Sequence, residues 1–305
     1  ALLQLKAIIR EFDPDIVHTH ASKAGALGRV AAFQCGVKTV VHTFHGNVFE
    51  HYFGRTKSML YKGVERYLAK KSSGIVAISK QQKLDLVERH TICGADKVKI
   101  IPLGFDLANF GADHDRKREA ARSRFSLDLD TIAVGIIGRL VPIKGHRLFL
   151  KALATAVDQG KKVRAIVVGD GELKEDLTNY SLELGLALEK DIIFHSWEKQ
   201  VEEILPAFDL VALSSLREGT PVSLIEAQAA GIPVLSTRVG GVEDIVSPGA
   251  GWVVDRDEFV DTFIRLSSNP RLLQETRFQG QKWACDNFSA QRLANDMDRF
   301  YRTLL

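Results

Sequence analysis

Cysteine is scarce. The 305 residues hold three, Cys35, Cys93 and Cys285, far apart and in no zinc-binding or redox spacing. That excludes a disulfide-stapled fold and leaves reduced, buried thiols of a cytosolic protein as the simplest reading. No apolar run approaches the ~20 residues a transmembrane helix needs, and the start lacks a charged-then-apolar leader. No set of His, Cys and Asp has metal-ligand spacing, and no Ser or Cys sits in a nucleophile-elbow context. A covalent hydrolase and a metalloenzyme are therefore not expected.

The chain is 45% hydrophobic, enough for one large core or two ordinary ones. Its net charge of +3 is unevenly spread: residues 1–110 hold 16 Lys/Arg against 9 Asp/Glu, the remainder 25 against 29. A basic first half suits an anionic membrane surface or lipid phosphate; a chance asymmetry explains it as well. Without aromatic residues interleaved in a basic patch, nucleic acid is not an expected partner.

Strand and helix alternate throughout. Ala1–Phe12 reads as a helix with apolar Leu2, Leu5, Ile8, Ile9 and Phe12, stopped at Asp13-Pro14. Ala1 is not Met, and the pattern begins in the middle of an α/β alternation. Strands are expected at 15–18, 38–43, 74–79 and 98–102, with helices at 26–35, 57–71 and 80–90 between them. A charged stretch, 113–124, reads as a surface helix or linker. The continuous apolar run Ile132 to Gly138 then has the character of a parallel strand buried on both faces. Beyond it come helices at 145–158, 173–185, 199–207 and 222–230, and strands at 163–168, 191–194, 210–213, 233–236 and 252–254. The tail is helical, with Phe288-Ser289 before a last amphipathic helix.

The fold class is α/β: two Rossmann-like, doubly wound parallel-sheet domains, 1–112 and 113–287, with a final segment 288–305. Ligands of such sheets bind outside the carboxyl ends of the strands, so two facing sheets would hold theirs in a cleft. The polar clusters fall at those ends: His18–Lys23, His45, Ser79, Gly104, Arg139–Lys144 and Glu218–Glu226.

The most informative segment is Ser214-Ser215-Leu216-Arg217-Glu218-Gly219-Thr220-Pro221-Val222-Ser223-Leu224-Ile225-Glu226. A buried strand ends in polar residues, Gly219 and Pro221 mark a turn, and a helix opens at Val222. The free N–H groups of such a helix start make an anion site. Glu226 stands among apolar neighbours, where a carboxylate wants a polar partner. After the first strand of the second domain, Gly138 permits close backbone approach, and Arg139 and Lys144 add two positive charges suited to phosphate. Gly169-Asp170-Gly171 needs only a turn to explain it. Trp197 either borders a nucleobase or packs the sheet edge. His18, His20 and His45 gather at the strand tips of the first domain, where a histidine can donate to a sugar hydroxyl.

With these residues in view, the chain resembles the GT-B glycosyltransferases, specifically the large retaining family 4. The resemblance covers nearly the whole chain. Its first-domain landmarks are Pro14 to His20, His42-Thr43-Phe44-His45-Gly46 and Ile101 to Asp106. Those of the second domain are Gly138-Arg139-Leu140 with Lys144-Gly145, the spacing of Glu218 and Glu226, and Val239-Gly240-Gly241-Val242-Glu243. It implies that Arg139 and Lys144 bind the donor's diphosphate, with Gly138 and the backbone of Gly219, Thr220, Pro221, Val222 and Ser223. It also implies Glu226 on the ribose, Glu218 on the transferred sugar, and His45 on that sugar at the reacting centre. His20 and Lys23 fall on the acceptor side, and the last helix resembles one that crosses back to the first domain.

The function so implied is transfer of a sugar, with retained anomeric configuration, from a UDP-linked or other nucleotide-diphosphate sugar to a saccharide or lipid-linked acceptor. Neither metal nor cofactor is expected, because the Arg/Lys pair supplies the cationic charge. The expected setting is cell-envelope polysaccharide synthesis, in the cytoplasm or peripherally at the inner membrane face. Lys57, Lys62, Arg66, Lys70 and Lys71 along one helix suit an anionic membrane, or simply face solvent.

Two departures qualify the resemblance. The family's first domain begins with earlier strand–helix units, and at about 30 residues per unit some 60–90 residues are absent here. Either the chain is a fragment of a longer one, or its first domain lacks sheet strands and acceptor-site parts, and its exposed sheet edge then invites self-association. Ser196, in Phe194-His195-Ser196-Trp197, stands where the family has Gly. The rivals are a non-catalytic nucleotide-sugar-binding subunit and a nucleotide-sugar epimerase of the same fold.

Overall fold

The computed structural model describes residues 1–46 and 55–305, with the side chains of 55–58 left aside. Asn47 and the Lys57 side chain lie outside the described residues. Two compact units are present: Ala1–Gly104 together with Ala290–Leu305, and Phe105–Ser289.

The first unit is built on four parallel strands in the order β1-β2-β3-β4: β1 (Ile16–His20), β2 (Thr39–Phe44), β3 (Gly74–Ala77) and β4 (Val98–Ile100). Every residue of β2 is buried, as a central parallel strand with both faces covered must be. Helix Ala290–Arg302 completes this unit, and around it Leu293, Met297, Phe300, Tyr301 and Leu304 pack on Val41, Val76 and Ile101. The Phe300 ring fills the space a side chain at Gly74 would need, 2.6 Å from its notional β-carbon.

The second unit has six parallel strands: β5 (Ile132–Ile137), β6 (Val163–Val168), β7 (Ile192–His195), β8 (Leu210–Leu213), β9 (Val234–Thr237) and β10 (Gly251–Val254). Their order is β10-β9-β8-β5-β6-β7. Alternate residues of β5 enter opposite cores, Ala133 with Phe208 and Ile225, and Val134 and Ile136 with Phe149 and Phe263. The chain winds outward from β5 in one direction through β6 and β7. It then returns to β8, beside β5, and winds the other way. The β5/β8 boundary is thus the topological switch point, the place at which sheets of this kind bind their ligands.

Several elements differ from the sequence expectation. β1 runs on to His20, so His18, Thr19 and His20 are strand residues, and the next helix starts at Ser22 (Ser22–Gln34). Residues 80–90 form an α-helix only to Leu84 and continue as a π-turn, Asp85–Arg89. The charged stretch is a docked helix, His114–Arg124, and no linker. Its Arg118 and Arg122 both reach Asp209, at 2.6 and 3.2 Å, and Lys117 is buried against the Asn109 carbonyl. Opposite charges far along the chain turned a solvated-looking helix into a packed one. The three cysteines are free and half-buried rather than buried.

Candidate functional site: the β5/β8 switch point

The loop after β5 and the loop after β8 are joined by backbone and side chain. The Leu216 N–H donates to the Ile143 carbonyl at 2.8 Å, and the Ser214 hydroxyl donates to the Gly145 carbonyl at 3.1 Å. Gly145 has a φ of +64°, and a β-carbon there would lie 2.2 Å from the Ser214 carbonyl oxygen. Only glycine allows that approach. The loop after β6 closes the other flank, with the Leu140 N–H on the Asp170 carbonyl and the Leu173 N–H on that of Leu140. The Gly169–Gly171 turn therefore packs against the loop after β5.

This stitching brings Lys144 to Glu218. Their Nζ and Oε1 atoms are 2.7 Å apart, and the side chains are 21% and 8% exposed. The same Oε1 accepts the hydroxyl of Ser215 at 2.5 Å. Arg139 is exposed and forms no ion pair among the described residues, so its guanidinium is free to take an anion. Helix Val222–Ala229 opens at Pro221, whose side chain offers no cap, and its first amides lack intrahelical acceptors. Gly219, Thr220, Val222 and Ser223 are exposed or half-buried around that opening, and Pro221 is buried beneath it.

Glu226 lies one turn into this helix, half-buried, with no hydrogen bond or ion pair among the described residues. The polar partner expected for it is not found among the described residues. Burial, aided by the charge of Glu202, pushes its carboxyl up to about 7. At the tip of β7, Trp197 is 64% exposed, so it does not pack the sheet edge. Neighbouring His195 and Glu198 are held instead by Arg124.

In the first unit, His20 Nδ1 and His45 Nε2 share a hydrogen bond of 2.9 Å. His18 is fixed between Tyr301 and Thr43, at 2.6 and 2.7 Å, and its ring centroid lies 4.3 Å from that of His20. Burial lowers every member of this group, His18 to about 4 and the deeper His42 to about 2, so the cluster is neutral at pH 7. His45 lines a cavity of about 240 Å³ with Ser22, His42 and Phe44. Lys23 is exposed in the first turn of its helix. On helix Arg55–Lys71, Arg66 is occupied by the carbonyls of His90 and Thr91, and Lys71 lies over the Tyr67 ring. The basic stripe read from the sequence is therefore partly consumed by internal contacts.

Ser214, Ser215 and Glu202 were not assigned roles by sequence reasoning. The only signal was the pair of polar residues closing an apolar strand, which marked a tip and gave no partner.

The model of the group 1 glycosyl transferases matches residues 117–283, and that of glycosyltransferase family 4 matches residues 1–109. The chain belongs to this family. It is a glycosyltransferase with the GT-B architecture of two parallel-sheet α/β domains. It is 30% identical over 275 residues to the UDP-Gal:alpha-D-GlcNAc-diphosphoundecaprenol alpha-1,3-galactosyltransferase of Escherichia coli, covering 88% of this chain and 70% of that protein. It is 24% identical to a capsular polysaccharide biosynthesis glycosyltransferase of Staphylococcus aureus, covering 100% of this chain and 81% of the relative. Among solved structures, HepE of Anabaena in complex with UDP superposes with a TM-score of 0.86 at 22% identity, over 99% of this chain and 82% of that one. No described helix is long and apolar enough to cross a membrane.

Proposed function

We propose that the switch point of the second unit binds a nucleoside-diphosphate sugar, UDP-linked, and that the enzyme transfers its sugar with retained configuration to a saccharide or lipid-linked acceptor of cell-envelope synthesis. The observation that carries this reading is the meeting of Lys144 and Glu218 across the β5/β8 boundary, beside an uncapped helix start. Cations, free amides and a carboxylate converge where a diphosphate and the sugar attached to it would each find partners. Arg139 and Lys144 take the diphosphate with the amides of the Gly219–Ser223 segment and the backbone at Gly138. Glu226, without a partner among the described residues, takes the ribose hydroxyls. Glu218 contacts the transferred sugar, and Trp197 borders the base.

From the first unit, His45 is assigned to the transferred sugar, with His20 and Lys23 on the acceptor side. A neutral His45 can donate to a hydroxyl or stabilise developing charge. The charges of Arg139 and Lys144 perform the electrostatic work on the leaving diphosphate, so turnover is expected to survive chelation. The relatives' names, one a diphosphoundecaprenol-linked galactosyltransferase and one a capsular polysaccharide enzyme, support the acceptor class.

The test is a panel of nucleotide sugars assayed with and without EDTA, with UDP binding measured alongside. Glu226→Ala should weaken UDP at least tenfold, whereas Glu218→Ala should lower turnover without weakening UDP. Equal and small effects at both positions would sink the assignment, and binding without transfer or donor hydrolysis would favour a non-catalytic subunit. The anomer of the product, read by NMR, decides retention.

A further inference from the structure

Glu218 has two donors on one oxygen, and they differ in kind. Lys144 reaches Oε1 from a flexible four-carbon stem, whereas Ser215 reaches the same atom from a fully buried position. The Ser215 backbone is held in turn: its carbonyl accepts the Thr237 hydroxyl at 2.7 Å, and the flanking Leu216 N–H is tied to Ile143. One donor can leave; the other cannot.

We propose that Ser215 is the positioning residue for Glu218, and that donor binding hands the carboxylate over from Lys144 to Ser215. The inference rests on the reading given under Proposed function, in which Lys144 serves the diphosphate. A diphosphate carries more negative charge than one carboxylate and competes successfully for the ammonium. Opening the pair strips a largely desolvated carboxylate of its cation. The Ser215 hydroxyl then keeps Oε1 in place and leaves Oε2 to accept from the hydroxyls of the incoming sugar. Two consequences follow from the same geometry. In the empty site the Lys144–Glu218 pair opposes diphosphate binding, and in the occupied site Ser215 matters for turnover without touching the donor.

The experiment uses the whole chain, with UDP as the binding probe and the UDP-sugar found to be turned over as substrate. Glu218→Gln should bind UDP three- to tenfold tighter than the native protein, because Lys144 no longer has a carboxylate to leave. Ser215→Ala should hold UDP affinity and donor KM within about threefold while kcat falls tenfold or more. Ser215→Ala added to Glu218→Gln should change kcat less than twofold, since the hydroxyl acts only through that carboxylate. Unchanged or weaker UDP binding by Glu218→Gln, a fall in UDP affinity in Ser215→Ala, or multiplicative losses in the double variant would each overturn the proposal. Lys144→Ala separates the two levels. If it leaves UDP affinity intact, the donor reading itself fails and this proposal with it. If it weakens UDP while the double variant is multiplicative, only the role of Ser215 is lost.

Discussion

The carbonyl oxygen of Glu218 occupies the place a side chain at position 240 would need: a β-carbon on Gly240 would lie 1.8 Å from it. Gly240 has a φ of +54°, a conformation open to glycine and costly for other residues. The turn after β9 is thus pressed against the turn that carries Glu218. Gly240→Ala should push the Glu218 backbone aside, lowering transfer at least tenfold and the melting temperature by a few degrees. Native turnover in Gly240→Ala would show that the Glu218 turn needs no such support.

Glu226 provides a pH signature. Its carboxyl is raised to about 7 by burial and by Glu202, so the folded protein holds a proton there that the unfolded chain releases near 4.5. Stability therefore falls as pH rises from about 4.5 to about 7 and levels off above that, the opposite of a salt-bridged carboxylate. Ribose hydroxyls prefer the ionised acceptor, so nucleotide affinity should move the other way. From pH 6 to pH 8 the ionised fraction rises about tenfold, and UDP binding should tighten by a similar factor beyond the change seen in Glu226→Gln. Parallel pH profiles for the two proteins would remove Glu226 from the ribose site.

How far the sequence reached depends on the distance over which a feature is encoded. The apolar run of β5 is a local pattern, and its burial on both faces followed from it directly. The same holds for the helix opening at Val222, announced by a strand, a Gly-Pro turn and an apolar continuation. Residue types at those strand ends already suggested an anion site. The contact between Lys144 and Glu218 was not legible, because the two stand 74 positions apart and meet only through the order of the strands. No periodicity states that β8 lies beside β5. For the same reason Asp209 was invisible as the partner of Arg118 and Arg122, and the helix that carries them looked solvated. Ser215 was visible only as a polar strand tip, since its role depends on where the Glu218 side chain turns back.

The first unit holds a buried ion pair whose contribution can be isolated. Arg29, in helix Ser22–Gln34, and Glu65, in helix Arg55–Lys71, meet at 2.7 Å with both side chains 0% exposed. Arg29 Nε also donates to the Gly25 carbonyl, while its second terminal nitrogen has no hydrogen-bond partner among the described residues. Such a pair recovers its desolvation cost only in part, yet removing one member strands the other charge in the interior. Arg29→Leu or Glu65→Leu alone should each cost about 3–5 kcal/mol. The double replacement by two leucines should cost less than either single change. All three tryptophans, Trp197, Trp252 and Trp283, belong to the second unit, so fluorescence reports that unit while far-UV circular dichroism sees both. The expected result is a lowered dichroism transition in each single variant. Additive losses in the double variant would show that the two side chains act independently of their contact.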